Sequence, residues 1–227
     1  MRRALSLAPL VVLAGVLGAC GGGSEKSAAP STPAATPTVA ASGCRVVEQP
    51  KPRGDGGQSA PTQALDSTKH WTATFRTTCG SFTIALAVKD APKTTASFTS
   101  LAKAGFYDGT VFHRIIPGFV IQGGDPTASG TGGPGYTVVE PPPSGTMYSK
   151  GIAAMAKGGT EPAGASGSQF FVVSGAGASQ LPPDYALLGR VVRGMAVVER
   201  IAGVGDPQGS GTPTEIVVLK HVAVSSS

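Results

Sequence analysis

The residues best placed to do chemistry lie in one stretch, Thr110 to Asp125, which reads TVFHRIIPGFVIQGGD. It sets a guanidinium, Arg114, and an amide, Gln122, among large apolar side chains, with His113 beside them. A donor fork near an amide, surrounded by Phe119, Val120 and branched residues, is the composition of a concave site with a few convergent polar groups. Its chemistry would be donation to a ligand held against apolar side chains. In an arbitrary strand an arginine faces solvent, and a histidine without a second histidine or cysteine at ligand spacing is structural, so context carries this reading.

Two short β-like runs must position these groups: Val111 to Ile116 and Phe119 to Gln122, on either side of Pro117-Gly118. Residues two apart share a face. Phe112, Arg114 and Ile116 therefore point one way, and Val111, His113 and Ile115 the other. In the second run Val120 and Gln122 share a face opposite Phe119 and Ile121. The turn leaves the register between the two runs open.

Other chemistries find little support. The run GTGGPG at Gly130 to Gly135 fits a dinucleotide fingerprint only formally, because Pro134 and the following YTVV favour turn then strand rather than strand then helix. There is no G-x-S-x-G elbow, and His70, His113 and His221 show no metal-binding spacing. A formal charge of +5 on 227 residues is spread without a basic run or interleaved aromatics, which argues against a nucleic-acid partner.

The chain opens with Met1-Arg2-Arg3, an apolar run from Ala4 to Val16, and Leu17-Gly18-Ala19-Cys20. That run is short for a bilayer span and reads as a secretory signal over residues 1–19. LGAC resembles the bacterial lipobox, which implies lipidation at Cys20 and a location on the outer face of the cytoplasmic membrane. An ordinary cleaved signal with an incidental cysteine is the alternative. Residues 20–43 are glycine, serine, alanine, proline and threonine with almost no large apolar residue. They are expected to form a disordered tether with an end-to-end distance on the order of 25 Å.

Residues 44–69 are rich in proline, glycine and charge and are either more linker or an irregular arm lying on the domain. With Cys20 lipidated, Cys44 and Cys79 remain, and export permits a disulfide between them that would pin the arm. Two free thiols are the alternative. From residue 70 to 225 a single domain is expected, and about 155 residues suffice for one sizeable core. WTATFRTT and GSFTIALAV alternate around Cys79-Gly80 as a hairpin. Pro92 begins a helix with Phe98, Leu101 and Ala102 on one stripe, and Met195 to Ala202 gives a second. Gly151 to Ala156, Gln169 to Val173, Leu187 to Val192 and Glu215 to Val224 are strand-like. Many short strands and two helices argue for a mainly β fold, a closed antiparallel barrel with helical caps.

Three blocks in order, FHRIIPGFVIQGGD, GTGGPGY at Gly130 to Tyr136 and GSQFFV at Gly167 to Val172, resemble the cyclophilin family of peptidyl-prolyl cis-trans isomerases. The resemblance covers roughly Trp71 to Val224. It implies an eight-stranded barrel with a helix at each open end, and rotation about Xaa-Pro bonds without nucleophile, metal or cofactor. It implies Arg114 as the main catalytic donor, with His113, Phe119, Val120 and Gln122 around the proline pocket. It further implies Gly130 in the loop, Ala156, Lys157 and Gly158 as an edge pairing with substrate backbone, then Gln169, Phe171, Leu181 and Tyr185. Phe170 and Phe171 point opposite ways in a strand, and Phe171 is assigned to the pocket.

Three positions depart from the family pattern: Lys157 stands where many members have asparagine, Tyr185 where many have histidine, and Gln180 where cyclosporin-sensitive members carry tryptophan. Weakened cyclosporin affinity with retained turnover is the expectation. The partners implied are proline-containing polypeptide clients acted on by a monomer. A proline-peptide binding module or holdase with little catalytic role is the alternative function.

Overall fold

The structure is a computed structural model that describes residues 38–227. The signal, Cys20 and the expected tether up to residue 37 lie outside the described residues. The rest of that tether, 38–43, is ordered rather than free, the Thr38 carbonyl accepting from Val46 N–H (3.0 Å) and the Ser42 hydroxyl donating to the Glu215 carboxylate (2.6 Å).

Strands β1 (Trp71–Thr77) and β2 (Gly80–Leu86) form the first hairpin, with Phe75 opposite Phe82. Their alternation is the one the sequence shows: Ala73, Phe75, Phe82 and Ile84 are buried while Arg76 and Ser81 are exposed. Helix α1 (Pro92–Lys103) begins at its proline and buries Phe98, Leu101 and Ala102. Its first turn has no local side-chain cap. The carboxylate of Glu140 serves instead, accepting from the backbone N–H groups of Lys93 (3.0 Å) and Thr94 (2.7 Å). A negative charge here satisfies two orphan donors at the positive end of the helix.

Next come β3 (Thr110–Val111), β4 (Arg114–Ile116), β5 (Val120–Gly123), β6 (Val138–Val139), β7 (Ile152–Met155), β8 (Ala165–Ser166) and β9 (Phe170–Val173). A 3-10 turn, Ala176–Gln180, precedes β10 (Leu187–Arg193), helix α2 (Met195–Ala202) and β11 (Val218–Ser226). Nine of the strands join in one curled antiparallel sheet of order β3-β11-β1-β2-β10-β7-β9-β5-β4, and β6 pairs with β8 separately.

This corrects the closed eight-stranded barrel expected from the sequence. The sheet has nine strands, and its terminal strands β3 and β4 are not ladder partners. The expected single strand from Val111 to Ile116 breaks at Phe112-His113 because the run changes partners there. Val111 pairs with β11 and also bridges Asp125 just beyond β5, Phe112 N–H donates to the Val217 carbonyl (3.0 Å), and only from Arg114 does the run pair with β5.

The concave interior is aromatic. Phe75 stacks on Phe82 at 4.7 Å between ring centroids, Phe170 lies 5.2 Å from Phe75, and Phe98 of α1 meets Tyr107 at 5.0 Å. A second, smaller apolar cluster lies on the outer face, formed by Val120, Tyr148, Ile152, Ala154, Phe171, Val173 and Ala178.

Cys44 and Cys79 are disulfide-bonded, closing a loop of 35 residues. A loop of that length stabilises by about 4 kcal/mol in the chain-entropy picture. From this anchor the N-terminal arm continues along the domain without regular secondary structure from residue 46 to 70. Its Arg53 N–H donates to the Pro126 carbonyl (2.8 Å), and its guanidinium to the Phe106 carbonyl.

Candidate active site

The site grows from the hairpin register. Arg114 lies opposite Gln122 and Ile116 opposite Val120, across a three-residue loop in which Gly118 adopts φ +72°. Glycine takes that left-handed conformation without a Cβ penalty. Gln122 in turn pairs with Phe171 of β9, and Phe171 with Ala154 of β7. One cross-strand row on the outer face therefore holds a guanidinium, an amide and an aromatic ring.

Arg114 is half-buried, and its Nη1 donates to Gln122 Oε1 at 3.2 Å. Its guanidinium carbon lies 5.9 Å from the centre of the Phe119 ring. Gln122 Nε2 donates to Gln169 Oε1 (3.1 Å), and Gln169 Nε2 donates to the carbonyls of Gly130 (2.9 Å) and Gly132 (3.0 Å). The polar groups thus form one chain that orients the guanidinium fork and ends on the glycine loop. Both glutamines are half-buried, so their amides are held rather than solvated.

Apolar groups surround this row. Phe119 is fixed at its backbone, its carbonyl accepting from Ser174 N–H at 2.9 Å, while Gly118 accepts from Gly177 N–H at 3.0 Å. Val120 and Phe171 are buried in the outer cluster and underlie the cup, with Phe119, Leu181 and Tyr185 packed against that cluster and partly exposed. The rings of Phe171 and Tyr185 meet edge to face at 5.3 Å.

His113 sits between β3 and β4, beside Gly130. Both ring nitrogens are buried without a hydrogen-bond partner, although Gln169 and the Val111 backbone lie close by. Burial pulls its pKa below the ordinary value, with the Arg114 charge adding to that and the Asp125 carboxylate opposing it. His113 is therefore a neutral wall of the site at neutral pH.

The edge Ala156–Gly158, expected to pair with substrate backbone, already carries several contacts of its own. Ala156 N–H donates to the Gln169 carbonyl at 2.9 Å, and Gly158 N–H is taken by the Glu161 carboxylate. Lys157 pairs with Asp184 at 2.8 Å with its side chain only 6% exposed. Its ammonium also lies 5.8 Å from the centre of the Tyr185 ring.

Three supporting residues escaped the sequence reading. Asp125 is fully buried and accepts from Thr127 N–H (2.7 Å), Thr127 Oγ1–H (2.8 Å), Gly130 N–H (2.6 Å) and Gly132 N–H (3.2 Å). Burial raises its pKa, but these donors outweigh it and hold the carboxyl below the usual range. Asp-x-Thr ahead of a glycine loop was a legible Asx-turn signal. Gly132 is needed because a Cβ there would sit 2.2 Å from Asp125 Oδ1. Tyr148 clamps Tyr185, donating to its carbonyl (2.6 Å) and accepting from its N–H (2.9 Å), and burial pushes its pKa up to about 12. Nothing local in the sequence marks Tyr148.

A fixed guanidinium beside an aromatic cup, on the outer face of a curled antiparallel sheet, is an arrangement suited to holding an apolar ring and donating to it. That is the requirement of a prolyl isomerase. Residues 72–224 match the family model described as cyclophilin type peptidyl-prolyl cis-trans isomerase/CLD, and the chain belongs to this family. Among its relatives is peptidyl-prolyl cis-trans isomerase A of Mycobacterium tuberculosis, 38% identical over 172 residues, covering 68% of this chain and 92% of the relative. Peptidyl-prolyl cis-trans isomerase-like 1 of Neurospora crassa is 39% identical over 148 residues, covering 63% and 88%. A crystal structure of a Cryptosporidium parvum cyclophilin type isomerase superposes with a TM-score of 0.62 at 31% identity, covering 70% of this chain and 99% of that one. The chain is a cyclophilin-type peptidyl-prolyl cis-trans isomerase.

Proposed function

We propose that Arg114 is the catalytic donor and that the enzyme works outside the cytoplasmic membrane, on proline-containing segments of secreted and cell-envelope proteins. The observation that carries the first part is the pairing of Arg114 with Gln122 above the Phe119 ring. Rotation about an amide meets a barrier of roughly 18–20 kcal/mol because the nitrogen lone pair is delocalised into the carbonyl. In the twisted state that lone pair localises and the prolyl nitrogen becomes an acceptor. A guanidinium already aimed at it stabilises the transition state over the ground state. Phe119, Leu181 and Tyr185, over Val120 and Phe171, form the cup for the proline ring. Gln122 engages the carbonyl beside the rotating bond, and no proton is transferred. A second structure of the Cryptosporidium parvum isomerase, determined in the presence of the dipeptide Ala-Pro, matches this chain with a TM-score of 0.61 and supports a proline ligand.

The second part rests on the leader and the LGAC box. The signal over residues 1–19 directs export, Cys20 carries lipid, the part of the tether that precedes residue 38 spaces the domain from the surface, and residues 70–225 act as a monomer. Among the described residues no helix is long and apolar enough to cross a membrane. Expression of the full chain in a bacterium that processes lipoproteins tests this. The parent is expected in the detergent phase and Cys20→Ala in the aqueous phase, and equal partition of both would overturn the anchor. A refolding assay on an exported protein limited by an Xaa-Pro bond tests the client role, with acceleration expected from the parent and little from Arg114→Ala.

A further inference from the structure

Beside the proline cup lies a cleft of about 560 Å³, lined by Gln122, Gln169, the loop Gly130–Thr137, Ala156–Gly158, Glu161 and, from the N-terminal arm, Asp55. Gln122 and Gln169 belong to both the catalytic row and the cleft wall, so the two are continuous.

The arm is built into this wall. Gly56 N–H donates to the Gly133 carbonyl (3.0 Å) and Gln58 N–H to the Pro134 carbonyl (3.0 Å), while Gly133 N–H donates to Asp55 Oδ1 (2.6 Å). The fit is close, since a Cβ on Gly135 would meet the Cα of Gly56 at 3.0 Å. The disulfide at Cys44 anchors the same arm upstream. Asp55 precedes the matched family segment, which begins at residue 72, so this wall belongs to the chain's own N-terminal extension.

The charged lining has one sign to spare. Lys157 is paired with Asp184 and also donates to the Glu161 carbonyl at 3.0 Å, so its charge is spent. Among the described residues neither Asp55 nor Glu161 is in an ion pair. Each uses one carboxylate oxygen on a backbone N–H, of Gly133 and Gly158 respectively, and keeps the other.

We propose that the chain preceding the Xaa-Pro bond runs from the proline cup past Gln169 into this cleft, that Asp55 of the arm forms part of the cleft wall, and that Asp55 with Glu161 makes this isomerase favour clients carrying lysine or arginine at the position before Xaa. The proposal rests on the isomerase reading. A cation in the cleft replaces water at two unpaired carboxylates, and a client carboxylate there meets two like charges. Both acids are exposed, so the preference is screened by salt.

The test is cis-trans exchange NMR with the full chain on Ala-Lys-Ala-Pro-Phe and Ala-Glu-Ala-Pro-Phe. The parent is expected to show a kcat/KM at least threefold higher for the lysine peptide at low salt, the ratio falling toward one at about 0.5 M salt. Asp55→Asn keeps the oxygen that accepts from Gly133 N–H and removes the charge, so it should lower the ratio. The double variant Asp55→Asn, Glu161→Gln should abolish it. A parent ratio near one, or a ratio unchanged in the double variant, overturns the preference and leaves the isomerase standing. A parent that accelerates neither peptide overturns both.

Discussion

Phe170 and Phe171 are neighbours in one strand, and comparing them separates what holds this protein together from what makes it work. Phe170 points into the concave interior, fully buried, and contacts the rings of Phe75, Phe98, Tyr107 and Phe112. Phe171 points outward at 4% exposure, where it meets Tyr148 and Tyr185 and lies opposite Gln122. Inside, aromatic packing dominates, and the buried Tyr107 hydroxyl has no hydrogen-bond partner. Outside, a smaller apolar cluster supports a polar row that remains half-open. The same alternation that seals the core therefore supplies the floor of the active site.

Substitutions at these two positions should break the comparison cleanly. Phe170→Ala removes the ring at the centre of the interior and is expected to cost about 3–5 kcal/mol, read by chemical denaturation. Phe171→Ala should cost less stability, since the outer cluster can relax toward solvent, yet lose more activity per unit of stability. Equal losses of stability and turnover in both variants would erase the distinction between the faces.

The polar row sharpens the contrast further. Gly132→Ala drives a Cβ into Asp125 Oδ1, and overpacking of this kind costs roughly 1–3 kcal/mol. The loop should shift, Gly130 N–H should lose protection in hydrogen exchange, and kcat/KM should fall while the interior aromatic NMR signals stay in place.

The smallest effect concerns His113. Its folded pKa lies below the ordinary value near 6.5, chiefly through burial. The unfolded chain therefore binds the proton more readily. Stability is fully present above about pH 6.5 and declines as pH falls from there through the folded pKa. Urea midpoints measured across this window should fall with pH for the parent and fall less for His113→Gln.

Much of the interior could be read directly. Alternation in the first hairpin, the Pro92 start of α1 and the extent of α2 follow from local pattern, and the structure reproduces them. Opposed faces for Phe170 and Phe171 follow from strand geometry alone. The pairing of Arg114 with Gln122 did not, because it depends on the Pro117-Gly118-Phe119 loop holding three residues rather than two or four, and shifting the register by one residue would separate the groups. Strand count was illegible for a related reason. A run that hands over from β11 to β5 looks continuous in sequence and becomes two strands in space. Tyr148 acts across a distance in chain that only the fold reveals, reaching Tyr185 37 residues away, whereas the Asp125 carboxylate accepts only from nearby Thr127, Gly130 and Gly132 through a turn that Asp-x-Thr signals.

The positioned Arg114 guanidinium is proposed to lower the barrier to rotation. Cis-trans exchange of a short Xaa-Pro peptide, followed by NMR with the parent and with Arg114→Ala, tests it most directly. Acceleration by the parent, with a loss of at least tenfold in the variant, about 1.4 kcal/mol of transition-state stabilisation, is the expected result. Exchange as fast with Arg114→Ala as with the parent would contradict it.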